Sequence, residues 1–411
     1  MRKSAVVVTL MQQNSDITLL YPHEIEWKKF ENPIPDVPFS EDVVDYLNAL
    51  SSLIMKDRRA RLYPDVITFA FFCRKANLQR MKEEYKSDDI RLGRGFVFHI
   101  APSNVPVNFA YSLVAGLLSG NYNVVRASSK QFKQFDIILE HMLELLDNDQ
   151  YINVGNRFAI VRYGHDTDWN RYFSSICNAR IVWGGDNTIA TLRGNPLPPR
   201  SIEVNFADRY SISAINPKTV VTASDKEIEQ LAFDFYNDTY LFDQNACSAP
   251  HTIFWLKSNQ AEKAKKRFWT AVHSLVEKKY DFQSVLAVDK LTAFYTQAAN
   301  MKVHRIPTLD NKVVLTELDE LPSEIDKFRC AGGYFSEYDI SSLDDIAPVI
   351  NVKYQTMSYY GFTKEELKSF ILKNRPIGLD RIVPIGQTTA FALKWDGFNL
   401  IETLSRISSI L

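Results

Sequence analysis

Phe96-Val97-Phe98-His99-Ile100 is a short apolar run, stopped by Ala101-Pro102-Ser103-Asn104. A run of that length bounded by turn residues reads as a buried strand. Outward from it, 105–119 is an apolar helix closed by Gly120-Asn121, a helix C-cap signature. A strand at 123–126, a helix at 131–146 and a strand at 157–162 follow. A helix near 166–177 then leads to the strand Ala179-Arg180-Ile181-Val182-Trp183 and the turn Gly184-Gly185-Asp186-Asn187. Strand and helix alternate with short links, the pattern of a parallel sheet covered by helices on both faces. The fold class is α/β.

Nucleotides bind such sheets at the carboxyl ends of the strands. Three of those ends here carry small or polar residues: 101–104, 126–130 and 184–187. The second is Arg126-Ala127-Ser128-Ser129-Lys130, with two cations, two hydroxyls and no carboxylate. An acidic residue there would take a ribose 2′-hydroxyl, whereas cations favour a 2′-phosphate and so NADP(H). A plain helix cap by Ser128 or Ser129 explains the same run equally well. No Gly-x-Gly-x-x-Gly occurs at these junctions, so the nucleotide reading rests on topology.

Further on, Arg200-Ser201-Ile202-Glu203-Val204-Asn205-Phe206 is a strand with one carboxylate in an apolar setting. Glu203 is either a general base with a raised pKa or a satisfied structural carboxylate. From about Ser211 a second αβ unit begins, with a helix at 260–279 and strands near 328–338 and 349–354. The polar stretch 308–326 reads as a surface connection, and the chain ends in a helix at 400–410. Within this unit lies Leu241-Phe242-Asp243-Gln244-Asn245-Ala246-Cys247-Ser248-Ala249-Pro250, between a helix and the apolar strand Thr252-Ile253-Phe254-Trp255-Leu256. A thiol at such a junction is approachable on one side and held by fixed backbone on the other, as a nucleophile must be. Buried free cysteine is the competing reading, and it is the one adopted for Cys73, Cys177 and Cys330. His99 and His251 lie near these stretches and read as structural.

With 411 residues the chain is long enough for two domains. Hydrophobic and charged shares of 45% and 24% are those of a globular protein. A net charge of −1 removes the electrostatic case for a nucleic-acid or membrane-surface partner. No apolar run is long enough to span a bilayer. The apolar start, Ala5-Val6-Val7-Val8-Thr9-Leu10-Met11, reads as a first strand. Residues 1–90 are a helical lead-in, with amphipathic stretches at 42–53 and 69–85. The four cysteines are widely spaced without metal-like spacing, which fits a reduced cytoplasmic compartment and no metal site.

The order of the pieces resembles the aldehyde dehydrogenase superfamily: Ser103-Asn104-Val105-Pro106, then Gly120-Asn121-Tyr122-Asn123-Val124-Val125-Arg126, then Trp183-Gly184-Gly185, Ile202-Glu203 and Cys247. One branch, the LuxC-type long-chain acyl-CoA reductases, is closer. The residues carrying that resemblance are 121–130, Asn245-Ala246-Cys247-Ser248-Ala249-Pro250, Lys353-Tyr354-Gln355-Thr356 and Lys394-Trp395-Asp396-Gly397. It runs from about residue 95 to the end.

The resemblance implies two Rossmann-type domains and an oligomerising arm. On that pattern 1–90 belongs to the cofactor domain, 91–210 binds nucleotide, 211–380 is catalytic, and 381–411 returns to the cofactor domain or an oligomer interface. It implies NADPH-dependent reduction of a fatty acyl thioester to a fatty aldehyde through a Cys247 acyl-enzyme. The donor is acyl-CoA or an acyl group from a partner synthetase, and the enzyme is a homo-oligomer. The Asn104 side chain and the Cys247 backbone N–H match the oxyanion donors, and Glu203 matches the base of the hydrolytic relatives. Ser103, Arg126, Ser128, Ser129, Lys130, Gly184 and Gly185 fall at the cofactor positions. Where those relatives have Glu-Leu-Gly-Gly, this chain has Glu203-Val204-Asn205-Phe206, which weakens the base role; acyl transfer needs no activated water. Two other readings stay open: a cysteine acyltransferase or thioesterase without nucleotide, and a catalytically quiet subunit of an acyl-transfer complex.

Overall fold

In a computed structural model of the protein, which describes residues 16–86, 89–164 and 167–410, the Phe96 run is the centre of a six-stranded sheet. The proposed strand at 5–11 lies outside the described residues. The described strands of this sheet are β1 (Ile17–Tyr21), β3 (Phe96–Ile100), β4 (Tyr122–Arg126), β5 (Phe158–Tyr163), β6 (Ala179–Trp183) and β7 (Ile202–Phe206). Their order is β1-β5-β4-β3-β6-β7, with β1 antiparallel to β5 and the other neighbours parallel. Every residue of β3 and β6 is buried, as a parallel strand covered on both faces requires. The order reverses between β3 and β6. That switch point places the segments after Ile100 and Trp183 side by side at the carboxyl edge.

The lead-in supplies three helices to the same unit: α1 (Glu41–Lys56), α2 (Pro64–Phe72) and α3 (Lys75–Glu84). The amphipathic stretch at 69–85 is thus two helices. Between β3 and β4 runs α4 (Asn108–Leu118), every residue of which is buried. Helix apolarity on all sides demands such burial. It starts later than its apolar pattern, because 103–107 turns before the helix begins. Next come α5 (Lys133–Leu146), α6 (Trp169–Ile176) and α7 (Asp186–Arg193).

A second unit starts at Asp208. Its seven-stranded sheet joins β8 (Tyr210–Ile215), β9 (Pro250–Leu256), β10 (Val303–Ile306), β11 (Val314–Leu318), β12 (Tyr334–Ile340), β13 (Tyr354–Tyr360) and β14 (Arg381–Pro384). The order is β10-β11-β12-β9-β8-β13-β14, parallel except for β10. One face carries α8 (Asp225–Thr239) and α9 (Ala261–Lys279), whose Phe235, Phe268 and Trp269 pack with Trp255 and Phe335. Two more helices, α10 (Val285–Asn300) and α11 (Lys364–Asn374), complete the described set of long ones.

The structure departs from the sequence expectations in three further places. The polar stretch 308–326 contains the buried strand β11, because Val314, Leu315 and Leu318 form a short apolar core inside polar flanks. Strands expected from 328 and 349 begin later, at Tyr334 and Tyr354; Leu343–Val349 is a 3₁₀ turn. The terminal helix stops at Leu404, and β15 (Ser405–Ser408) pairs antiparallel with β2 (Ile90–Gly93). Ser-rich, β-branched sequence such as Ser405-Arg406-Ile407-Ser408 is poor helix material. The chain end rejoins the first unit through Ala392–Lys394 and from Phe398 on, while Trp395–Gly397 belongs to the second. Among the described residues no helix is long and apolar enough to cross a membrane.

Candidate active site

The loop that carries Cys247 is built by the helix before it. Ser224 and Glu227 form a reciprocal cap on α8, Ser224 Oγ accepting from Glu227 N–H (3.3 Å) and Glu227 accepting from Ser224 N–H (2.7 Å). Caps of this kind fix where a helix starts and are worth about 1 kcal/mol. After the turn Tyr240–Phe242 the chain enters two left-handed residues in succession, Asp243 (φ 51°) and Gln244 (φ 60°). Neither is glycine, so each costs roughly 1–2 kcal/mol.

Hydrogen bonds offset that cost. Gln244 N–H donates to Thr239 C=O (2.7 Å). Its buried side-chain amide accepts from Gly333 N–H (2.9 Å) and Tyr334 N–H (3.1 Å), and donates to Pro250 C=O and Tyr334 C=O (both 3.0 Å). Tyr280 OH donates to Asp243 Oδ1 (2.7 Å). Gly333 sits at φ 93°, with Lys312 C=O and Tyr240 OH both 2.3 Å from where a Cβ would be, so only glycine fits there. Ser211 Oγ then donates to Cys247 C=O (2.7 Å) and accepts from Thr356 N–H (3.2 Å). The thiol is therefore fixed from three strand starts at once: β8, β12 and β13. It lies at the amino edge of its sheet, just before β9.

Cys247 itself is partly buried. Burial pushes its thiol pKa up, the nearby Arg209 backbone N–H pulls it down, the Asp208 and Asp396 charges push it up, and Arg329 pulls it down. The net result lies above the ordinary cysteine value. Arg329 grips both oxygens of Asp208 (2.7 and 2.9 Å) and donates to Arg209 C=O (2.8 Å). The Arg209 guanidinium donates to Lys353 C=O (3.1 Å) and Tyr354 C=O (2.8 Å), pairs with Asp380, and lies 3.8 Å from Asp396 Oδ2.

Two of the motifs behind the family resemblance meet here. Gln355 hydrogen-bonds the buried Asp396 carboxylate. Trp395 packs under the Arg381 guanidinium (4.0 Å) and against Phe391 (5.4 Å between ring centres). Asp396 and Gly397 are both left-handed (φ 49° and 76°), and the Asp380 carboxylate lies 3.0 Å from the site of a Gly397 Cβ. The Trp-Asp-Gly sequence thus seats one carboxylate in the network around the thiol.

In the first unit the three polar strand ends lie along one edge of the sheet. Ser103 and Asn104 are exposed after β3, and Gly185 is the N-cap of α7, with open space where its Cβ would be. Ser129 and Lys130 are exposed after β4; Ser128 Oγ accepts from Lys130 N–H (3.1 Å). Arg126 lies over the Tyr163 ring (4.9 Å) and donates through Nη2 to Tyr163 C=O (3.3 Å). Its buried Nε has no partner among the described residues. The adjacent strand adds a third cation that sequence reading missed: Arg162 Nε donates to Ser128 C=O (2.9 Å). The two stand 34 residues apart in sequence, so no local pattern signals the contact. An open glycine at a helix start at the switch point, with a cation cluster two strands along the same edge, fits a dinucleotide phosphate.

Of the two readings of Glu203, its surroundings match the satisfied carboxylate and not the raised pKa of a base. It pairs with Arg180 through a very short contact, accepts from Arg193 Nε (3.0 Å) and from Asn205 Nδ2 (2.7 Å). Burial alone would raise its pKa, but these hydrogen bonds bring it below the usual value. Its β-ladder partner is Arg180, four residues before Gly184. At strand spacing it stands about 13 Å back from the carboxyl edge. It neutralises the buried Arg180, which also donates to Ser174 Oγ (2.8 Å) and Asn195 C=O (2.9 Å).

Of the other candidates, Cys73 and Cys177 are buried, with thiol pKa values raised by burial, and Cys330 is partly buried. His99 is buried between Ser112 Oγ (2.8 Å) and Asn123 Oδ1 (3.0 Å), and desolvation lowers its pKa to about 4. His251 is buried and stacked on Tyr210 (5.5 Å). No group of three or more His, Cys, Asp or Glu among the described residues could hold a metal ion.

Solved structures that share the fold include aldehyde dehydrogenase 21 from Physcomitrella patens (TM-score 0.65, 10% identity, 89% of this chain and 85% of that one). A mutant form of the 1-pyrroline-5-carboxylate dehydrogenase from Thermus thermophilus aligns with TM-score 0.63 and 13% identity over 93% and 83%. The aldehyde dehydrogenase fold expected from the sequence is the fold observed. By sequence, the chain is similar to long-chain acyl-protein thioester reductases: that of Vibrio harveyi (24% identity, 72% of this chain, 60% of that protein) and that of Photorhabdus luminescens (23%, 76% and 62%). The matches span less than two thirds of either relative. The model of the Acyl-CoA reductase (LuxC) family matches residues 23–407, nearly the whole length, and the chain belongs to that family.

Proposed function

We propose that this protein reduces a fatty acyl thioester to a fatty aldehyde through an acyl-enzyme on Cys247, using NADPH. The observation that carries the reading is the Cys247 loop: a strained turn held by Gln244 and Ser211 in a chain of the acyl-CoA reductase family. A loop held this way presents one sulfur at a fixed place, which nucleophilic attack on a thioester rewards.

The cofactor reading rests on the first unit. Gly184, Gly185 and Ser103 flank the switch point, and Arg126, Ser128, Ser129, Lys130 and Arg162 supply the cations and hydroxyls for a 2′-phosphate. A reduced nicotinamide, when bound, supplies hydride to the acyl carbon. The protein's own part is to hold the acyl group on Cys247 and to stabilise the oxyanion, for which the Asn104 amide and the Cys247 N–H are the proposed donors. Removing one such donor typically costs about 10²–10³ in rate.

The family description names acyl-CoA, and the relatives' names an acyl-protein, so both are proposed donors. A synthetase partner and a homo-oligomer belong to the same proposal. The unpaired cysteines suit a reducing, cytoplasmic setting. The test follows NADPH and NADH absorbance on adding acyl-CoA of several lengths, beside Cys247→Ala. Oxidation that needs both thioester and thiol is the expected result. Thioester hydrolysis or transfer without nucleotide use would make the protein an acyltransferase or thioesterase instead. Binding of neither substrate nor nucleotide would leave a non-catalytic subunit.

A further inference from the structure

Phe335, Glu337 and Asp339 share one face of β12, the face that packs on α9. A strand in a core calls for an apolar residue at the middle position. Glu337 is instead a carboxylate, 1% exposed. Its Oε1 accepts from two indoles at once, Trp255 Nε1 of β9 (2.6 Å) and Trp269 Nε1 of α9 (2.7 Å). The buried cation of this cluster is committed elsewhere. Lys265, one turn before Trp269, pairs with Asp339 (2.8 Å) and stands 3.8 Å from Glu317 and 3.7 Å from Glu262. Both indole donors on Glu337 are neutral.

A carboxylate so placed is charged at a cost, because burial disfavours the ionised form and neutral N–H groups offset only part of it. We propose that Glu337 is a proton-operated latch in the second unit. Protonated, it fastens α9 to β9 and β12, one oxygen carrying the proton and Oε1 still accepting from both indoles. When the proton leaves to solvent, the buried charge favours opening of α9 from the sheet. β9 begins three residues after Cys247, and Tyr334 of β12 holds Gln244. The two strands under the latch are thus the two that carry the thiol loop. The latch does not depend on the acyl-enzyme reading above.

The electrostatics agree. Burial raises the Glu337 pKa to about 7, against the pull of Trp269, Lys265 and Trp255 and with a push from Asp339. The charged groups around it are Lys265 and Glu262 of α9, Glu317 of β11, which is its ladder partner, and Asp339 of β12. The folded value lies above the unfolded value of about 4.3. The stability that Glu337 gives is therefore fully present below about pH 4.3 and lost as pH rises through about 7.

Hydrogen exchange of the full chain, read by mass spectrometry across pH, tests this without any substrate. In wild type, the protection of α9 and β12 amides, corrected for intrinsic rates, should fall by up to about tenfold per pH unit between roughly pH 5 and 7 and level off above. Glu337→Gln keeps an acceptor for the indoles and cannot ionise. Its protection should stay flat over that range and exceed that of wild type at pH 8 by about 10²-fold. A carboxylate that anchors α9 in its ionised form gives the reverse, a Gln variant less protected than wild type at pH 8. Trp269→Phe removes a donor that favours the ionised form, so the pH at which the profile levels off should move up. That variant and the wild-type profile serve if the Gln variant does not fold. A wild-type profile without the fall, a Gln variant less protected at pH 8, or a downward move in Trp269→Phe would overturn the proposal.

Discussion

Gln244 and Tyr334 bond to each other as two strands would: the side-chain Oε1 of Gln244 accepts from Tyr334 N–H (3.1 Å) and its Nε2 donates to Tyr334 C=O (3.0 Å). A side chain thereby stands in for backbone at the start of β12, and the loop carrying Cys247 cannot shift without breaking the ladder. In Gln244→Ala, the buried N–H and C=O groups of Gly333, Tyr334 and Pro250 lose this partner. We expect a loss of about 2–4 kcal/mol in stability, read from urea denaturation of the second unit's tryptophans. Residual folded protein should alkylate at Cys247 with altered rate. A variant as stable as wild type would show that the loop is held by Ser211 alone.

Arg329 acts on the thiol with the opposite sign to Asp396. Its charge lowers the Cys247 pKa, and it masks Asp208, whose charge raises it. Both effects point one way when Arg329 is removed. Arg329→Met should raise the alkylation midpoint of Cys247 by roughly one pH unit and slow acylation at pH 7 by about tenfold. A midpoint that falls would mean that neither Arg329 nor Asp208 acts on the sulfur with the assigned sign.

Glu203→Gln separates stability from chemistry. The folded-state pKa of Glu203 is depressed, so its contribution is present above the unfolded value of about 4.3 and is lost as pH falls through the folded value. The variant should lose about 2–3 kcal/mol at pH 7, less than for a fully buried pair because the carboxylate keeps some solvent contact. Its melting should converge on that of wild type only once pH has fallen below the folded-state pKa, beneath the unfolded value of about 4.3. Cys247 alkylation should not change. A rate loss with intact stability would restore the catalytic assignment of Glu203.

Cofactor choice is expected to sit in three cations. Arg126→Ala and Arg162→Ala should each reduce the preference for NADPH over NADH by roughly 10–100-fold, the worth of one charged hydrogen bond to a phosphate. Lys130→Ala, at an exposed position, should do less. The readout is the ratio of kcat/KM for the two nucleotides. Unchanged ratios would leave the run 126–130 as a plain helix cap.

The fold was legible because parallel sheets write themselves as short apolar runs: Phe96 to Ile100 and Ala179 to Trp183 are buried throughout and read correctly. β11 was missed because Val313, Val314 and Leu315 stand between Asp310-Asn311-Lys312 and Glu317-Leu318-Asp319-Glu320, which hides three buried residues in a polar average. The chain end was misread because Leu400 to Leu404 starts a true helical pattern that β15 then breaks by pairing with β2, some three hundred residues away. Of the candidate site, Cys247 was visible through its setting. Arg209, Arg329 and Ser211 were not, since each is an ordinary residue made relevant only by strand order. Gln355 and Asp396 were present in motifs that carried family likeness but no stated chemistry, and nothing in either motif signals that the two come together.

The three residues Trp395–Gly397 belong to the second unit, although Ala392–Lys394 before them and the chain from Phe398 on belong to the first. On a ribosome, Cys247 emerges about 150 residues before Asp396, an interval of roughly 10–30 s at ordinary synthesis rates. Through that interval the growing second unit has its thiol but lacks Asp396, whose charge raises the thiol pKa. The nascent chain would therefore carry a sulfur that titrates lower than in the finished protein, until Asp396 joins it.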